Sequence, residues 1–256
     1  MNAVAIGGCV AAATFAGGLV GLALRQMLPE RATAGMLRDM TGAIGGLLTL
    51  LTALVLGLLI WTSYGVYSSQ TATVRALATQ VLRYDLALSD YGPEAANGRT
   101  ELKANVEQAI AQIWSAQGAS LLTSSYGATI ASLHEREKYL ASLHPSTETQ
   151  KQALAAATQA ANAIAQTRLQ MAVALTDPIS RPLVVVVVAW AVFIFLGFGL
   201  MHAGDAAALL AMAVGAVAVA SAVYLVFDLS QPYSGVFQVP SAPLVEVLQE
   251  IGKPLQ

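Results

Sequence analysis

Charge is the scarcest ingredient of this 256-residue chain: 11% of its residues are Asp, Glu, Lys or Arg and 56% are hydrophobic, whereas an ordinary soluble domain carries roughly 25% charge. That balance argues against a water-soluble globule. The 13 basic and 15 acidic residues leave a formal net charge of −2, which provides neither a basic field nor an acidic tail, so no nucleic-acid partner is expected. The one cysteine, Cys9, can close no intramolecular disulfide and build no Cys-based metal site. Catalytic signatures are missing as well. The chain has no phosphate-cradling loop with its lysine, no H-E-x-x-H, no G-x-S-x-G elbow and no dinucleotide fingerprint. Of the 3 histidines, His134 and His144 stand about 280° apart around a helix, and His202 falls at a span end on the opposite side of the membrane. None is expected to ligate a metal. The densest charge run, His134-Glu135-Arg136-Glu137-Lys138, fits a solvated helix face supported by pairs three and four apart. No cofactor, metal or enzymatic activity is expected.

Four stretches lack any ionisable side chain: Ala3 to Leu24, Gly42 to Ile60, Leu183 to Met201 and Ala206 to Phe227. As helices rising about 1.5 Å per residue they reach roughly 28 to 33 Å, the thickness of a hydrocarbon core. The first has no preceding Lys or Arg and is too long for a signal-peptide core, so it is expected to be a retained anchor. The fold expected is all-α: four transmembrane helices in two pairs, with an inserted helical extramembrane domain. The divisions are 1–67 for the first pair (spans about 3–24 and 42–67, loop 25–41), 68–182 for the helical domain, 183–227 for the second pair and 228–256 for a tail.

An even number of spans places the helical domain and the tail on one side. Arg25, Arg31 and Arg38 crowd the short first loop, so the positive-inside rule assigns that loop to the cytoplasm and the helical domain to the periplasm. Trp61, Tyr64 and Tyr67 suit a headgroup boundary. Val74, Leu77, Val81, Tyr84 and Leu88 then repeat at helical spacing, so the second helix continues as an amphipathic stalk until Tyr91-Gly92-Pro93 ends it. Leu102, Val106, Ile110 and Ile113 outline a second soluble helix, and Ile130, Leu133, Leu140 and Leu143 a third, stopped near His144-Pro145. An Ala-rich fourth runs from about Ser146 to Leu175 and is closed by Asp177-Pro178. No segment alternates with a period of two, so no sheet is expected.

The absence of ionisable groups at membrane depth counts against a proton or cation pump but leaves room for a passive pore gated by an apolar constriction. Asp177, Arg181 and Asp228 fall at one membrane boundary, as anchors or as a charged pore mouth. Gly17 with Gly21, and Gly42 with Gly46, each mark a helix face that a neighbouring backbone can approach, within one subunit or between subunits. In the tail, Pro232 fixes a bend, Gly235 permits an unusual dihedral angle, and Tyr233 can lie back on the membrane surface. Ser241 can cap a short helix whose Leu244, Val247, Leu248 and Ile251 form an apolar face. That face needs a partner in the central domain, a neighbouring subunit or the membrane surface.

Three blocks appear in sequence order: Leu51-Thr52-Ala53-Leu54-Val55-Leu56-Gly57-Leu58-Leu59-Ile60 followed by Gln70; Asp85 with Tyr91-Gly92-Pro93-Glu94-Ala95; and the last two spans with Asp228, Pro232, Tyr233, Gly235 and Ser241-Ala242-Pro243-Leu244. Together they resemble the bestrophin-like domain family of bacterial membrane proteins over nearly the whole chain. The chain departs from the family pattern at Tyr64, where a basic residue is expected, and at Ser230-Gln231, where Asp-Arg is common. Bestrophins are pentameric anion channels with a similar layout, so the resemblance implies a homo-oligomer in a bacterial inner membrane. It also implies an anion path along the second span, lined by Leu47, Leu51, Leu54, Leu58 and Trp61, with Asp177, Arg181, Asp228, Pro232, Tyr233 and Gly235 at an interface or pore mouth. It places the helical domain in the cytoplasm, against the arginine count. The empty catalytic inventory and the amphipathic tail helix also fit a non-catalytic accessory or scaffold subunit of a larger membrane complex.

Overall fold

The computed structural model describes residues 3–27, 36–115, 126–176, 181–201 and 205–253, with backbone alone for 36–38, 126–133, 175–176 and 181. The described residues form eight α-helices and no strand: α1 Ala3–Met27, α2 Met36–Tyr91, α3 Ala96–Ile113, α4 Tyr126–Ser142, α5 Glu148–Thr176, α6 Arg181–Met201, α7 Ala206–Leu229 and α8 Ala242–Glu250. Four of them, α1, α2, α6 and α7, are long and apolar enough to cross a membrane. Helix α2 is continuous for 56 residues, and no charged residue interrupts it between Asp39 and Arg75. The chain divides into two compact units, one of Met1–Gly65 with Pro178–Ser230 and one of Val66–Asp177 with Gln231–Gln256.

In the first unit small residues set the packing. A side chain on Gly17 would come within 2.9 Å of the Val192 carbonyl oxygen, one on Gly21 would meet the Leu196 carbonyl, and one on Gly199 would meet that of Gly18. The backbones of α1 and α6 therefore touch. Between lipid-soluble helices no hydrophobic drive favours one apolar neighbour over another, so such close van der Waals packing is what holds the pair. Val10, Leu59, Val184, Val187, Val223 and Val226 fill the remaining space. Two hydroxyls in the spans are turned back onto their own helices, Thr14 donating to the Val10 carbonyl at 2.8 Å and Ser63 to that of Leu59 at 2.8 Å, whereas the buried Thr52 hydroxyl has no partner among the described residues. Such a turn back onto the helix satisfies a polar group where no water is present.

The second unit has an ordinary apolar core. Val74, Leu77, Val81, Tyr84 and Leu88, the stalk stripe, are all buried in it, against Leu102, Val106 and Ile113 of α3 and Ala157, Ala160, Ala161 and Ile164 of α5. The alanines of α5 thus combine high helix propensity with a flat surface that neighbours can approach. Helix α2 stops where Gly92 takes φ 118 before Pro93, a conformation that costs other residues strain. Helix α5 starts on a reciprocal cap: the Gln150 N–H donates to Thr147 Oγ1 at 3.2 Å, and the Thr147 N–H donates to Gln150 Oε1 at 3.3 Å, as in a capping box.

The face of α8 has found its partner. Leu244 and Ile251 are buried in the core of the second unit, and Val247 and Leu248 pack against it.

The α1–α6 contact makes a matched prediction. Gly8, on the same helix as Gly21, has nothing within 4 Å of its missing side chain. Gly8→Ala should leave the melting temperature in detergent unchanged or slightly raised, since alanine favours helix by roughly 0.5–1 kcal/mol. Gly21→Ala should lower it, because overpacking costs about 1–3 kcal/mol. Equal shifts for the two variants would contradict the contact.

Candidate functional site

The candidate pore-lining residues share one face of α2. Met40, Ile44, Leu47, Leu51, Leu54, Leu58 and Trp61 follow one another at alternating steps of four and three residues and are 39–73% exposed. Such a 3.5-residue period keeps a stripe facing one direction along a helix and suits a neighbouring helix or a central axis. The contrast with the other spans is quantitative. In its most apolar stretch α2 has 11% of residues buried inside the chain, against 28–33% for α1, α6 and α7. Gly45, Gly46 and Gly57 have nothing within 4 Å, and Gly42 meets only the Met201 methyl at 3.8 Å. The Gly17 and Gly21 pair is thus consumed inside the subunit, whereas the Gly42 and Gly46 face is open. Chemically the stripe offers no charge and no metal ligand. It can pack, or it can form an apolar constriction that gates by dewetting.

The second candidate group is dispersed. Asp177 lies outside the described residues, as do the side chain of Arg181 and the whole of His202. Asp228 does not follow the fourth span but belongs to the last turn of α7; it is buried and accepts a hydrogen bond from the Tyr224 hydroxyl at 3.2 Å. Tyr233 does not lie on a membrane surface. It is 1% exposed in the core of the second unit, its hydroxyl donates to Gln70 Oε1 at 2.7 Å, and its ring meets the edge of Trp114 at 5.8 Å. Pro232 is buried beside it, and its carbonyl accepts from the Val239 N–H at 2.8 Å. Trp114 Nε1 donates to the Val239 carbonyl at 2.7 Å, and Gly235 turns the loop with φ 114. Pro232, Tyr233 and Gly235 therefore form a buttoned loop that fixes the tail to the helical unit.

A second bracket holds the same unit. Arg99 donates from Nε and Nη2 to the two oxygens of Asp85 at 2.8 and 2.9 Å, and from Nη2 to the Lys253 carbonyl at 3.3 Å. The Asp85 hydrogen bonds and charge outweigh desolvation and raise the guanidinium pKa further. Gln150 Nε2 donates to the Tyr91 carbonyl at 3.2 Å. Gln70, Asp85, Tyr91 and Tyr233, which carry the family resemblance, are thus the residues that join distant segments of the helical unit. No group of three His, Cys, Asp or Glu side chains that could hold a metal occurs among the described residues.

The sequence model of the Bestrophin-like domain matches residues 12–244. The chain belongs to the bestrophin-like family. Together with the four apolar helices, this makes it an integral membrane protein. No curated protein and no solved structure matches the chain. The bestrophin-like match spans all three quoted blocks, including both partners of the Gln70–Tyr233 bracket.

Two residues escaped the sequence reading. Arg136, within the run taken as a solvated face, is half-buried although His134, Glu135, Glu137 and Lys138 are exposed, and Arg168 of α5 is half-buried as well. Burial lowers the pKa of both guanidiniums, and for Arg168 the nearby Arg136 adds to the effect.

The Gln70–Tyr233 bracket can be tested by a mutant cycle. Tyr233→Phe leaves the Gln70 amide oxygen buried and unpaired, which should cost about 1–3 kcal/mol and expose the segment from 231 onward to protease. Gln70→Leu with Tyr233→Phe removes both polar groups and should cost less than the single losses added together, by unfolding in detergent. Strict additivity would show that the two do not act as a pair.

Proposed function

We propose that this bestrophin-like protein is a homo-oligomeric anion channel whose path runs along α2 from Leu47 to Trp61. The observation that carries the reading is the α2 stripe, a heptad-spaced row of large apolar side chains on the least covered of the four spans. Copies of the chain arranged around an axis would cover the open Gly45 and Gly46 backbone and turn the stripe inward. An uncharged path suits passive permeation, with selectivity set by backbone and helix dipoles and with conduction limited where Leu54 and Leu58 narrow it. The reading is non-catalytic. The alternative, an accessory or scaffold subunit, draws on the empty catalytic inventory, the Ala-rich central helices and the amphipathic tail helix; Leu244 of that helix and Ile251 just beyond it are buried in the helical unit, which weakens the last of these supports. Arg25, Arg31 and Arg38 favour a cytoplasmic first loop and a periplasmic helical unit in a bacterial inner membrane, the reverse of the bestrophin arrangement.

Purified protein in liposomes should pass chloride or a similar small anion. Leu54→Trp should reduce the flux tenfold or more. Val185→Trp, at an exposed position of α6, should leave it unchanged. Absence of flux in the parent protein, or an equal effect of the two substitutions, would overturn the assignment. For orientation, an epitope inserted after Arg31 should be protected from protease in intact spheroplasts. Its cleavage there would place the helical unit in the cytoplasm.

A further inference from the structure

Between α2 and α6 the first unit holds a slot of about 660 Å³. Its walls include Gly45, Leu48 and Thr49 of α2 and Ile194, Gly197 and Leu200 of α6. Contacts between helices shut it at both ends. Near the first loop, Thr41 Cγ2 stands 3.9 Å from where a side chain at Gly197 would begin, and the Met201 methyl stands 3.8 Å from the same point at Gly42. Deeper in the membrane, Leu59 joins Val10, Val184 and Val187 in the shared core, with Val55 and Leu56 packed against it. The slot therefore opens sideways, between rims where Leu50 is 71% and Phe193 62% exposed. Its floor lies on the far side of α2 from the stripe, since Gly45 is about 160° around the helix from Leu47.

Chemistry, depth and volume together limit the occupant. Thr49 donates to the Gly45 carbonyl at 2.7 Å, and no side chain in the lining has a buried polar atom without a partner, so water would find little to bond to there. Left empty, a space of this size would forfeit the dispersion contacts of its whole lining. The α2 wall runs from Thr41 to Leu50, about 14 Å of helix rise, close to half of a hydrocarbon core of about 30 Å. The slot is thus one leaflet deep. Counted at roughly 30 Å³ per methylene, about the size of a water molecule, it holds on the order of twenty carbons, the content of one long acyl chain. A helix of the same length and roughly 10 Å diameter would need about 1,100 Å³, more than the slot offers, so a neighbouring span does not fit inside. Phospholipid is the bulk component of the surrounding bilayer. The geometry points to a binding site for one phospholipid acyl chain, from the leaflet on the first-loop side, lodged between α2 and α6. The site belongs to a single chain and does not rest on the channel reading; in an assembly, a neighbouring copy would close over the lipid.

The test uses full-length protein in vesicles of phosphatidylethanolamine and phosphatidylglycerol, with a trace of phosphatidylethanolamine that carries a photoreactive diazirine midway along one acyl chain. After illumination, adducts are mapped by peptide mass spectrometry. They should concentrate on residues 41–50 and 193–201, at least fivefold above the α7 positions Leu210, Val214 and Val217, which are apolar and 63–68% exposed. Gly45→Phe puts a ring into the open space beside Gly45 and should cut the slot adducts fivefold or more. Gly57→Phe, equally unobstructed but outside the slot, should leave them unchanged. Should Gly45→Phe fail to fold, the adduct map of the parent protein still decides the matter. Adducts spread evenly over all exposed apolar positions would overturn the assignment, as would an equal effect of the two substitutions in folded protein. So would labelling of α7 with none in the slot, which would show that a protein segment fills it.

Discussion

Close backbone packing between α1 and α6 is the contact on which the arrangement of the first unit depends. In lipid an apolar side chain gains nothing by leaving one hydrocarbon neighbour for another, so helices associate where their surfaces fit most closely. Gly17, Gly21 and Gly199 supply that fit. The membrane half of α2 has no equivalent. Leu59 joins the shared core with Val10, Val187 and Val223, but the opposite face, from Met40 to Trp61, stays uncovered and its glycines stay open. A helix that is hydrophobic all round is expected to be surrounded by lipid or by other helices. The heptad spacing of the uncovered stripe is what favours helices.

The helical unit is held in a different way. Its core is built from alanine and branched aliphatic side chains, and a few hydrogen bonds between distant segments give it a definite register. Gln70 and Tyr233 stand 163 residues apart in sequence, and Trp114 and Val239 stand 125 apart. Each buried polar group there has a high cost if its partner is lost, so the tail is fastened firmly although it contributes one short helix. The shortage of charge outside the spans follows from this construction. The faces of α2, α3 and α5 that meet in the core are apolar, and the Asp85–Arg99 pair, at 3% and 20% side-chain exposure, is one of three ion pairs among the described residues.

Much of this architecture was legible in the sequence, and the parts that were not share a physical reason. Charge-free runs located the four spans because burying an unpaired charge in lipid is costly whatever the surroundings. The stalk stripe from Val74 to Leu88 and the stop at Gly92-Pro93 were legible because periodicity and backbone restriction act locally. Periodicity shows that a face is apolar without showing what covers it, so the partner of α8 and the openness of the α2 stripe required the structure. Tyr233 was read as a membrane-surface aromatic because it follows a span, and its acceptor Gln70 gives no local signal. Arg136 was read as solvated because its neighbours in the run are charged, whereas one turn of helix separates a solvated position from a buried one. Arg168, alone in an Ala-rich helix, gave no signal of its own; only the folded unit brings it near Arg136.

In the proposed channel, copies of the same chain cover the exposed face of α2. The mass of the intact assembly, released from mild detergent without cross-linking, tests it most directly. A homo-oligomer should give a single discrete multiple of the 26.5 kDa chain with no other protein present. A 26.5 kDa monomer that keeps its helical content, or a complex of fixed composition containing a second polypeptide, would contradict it.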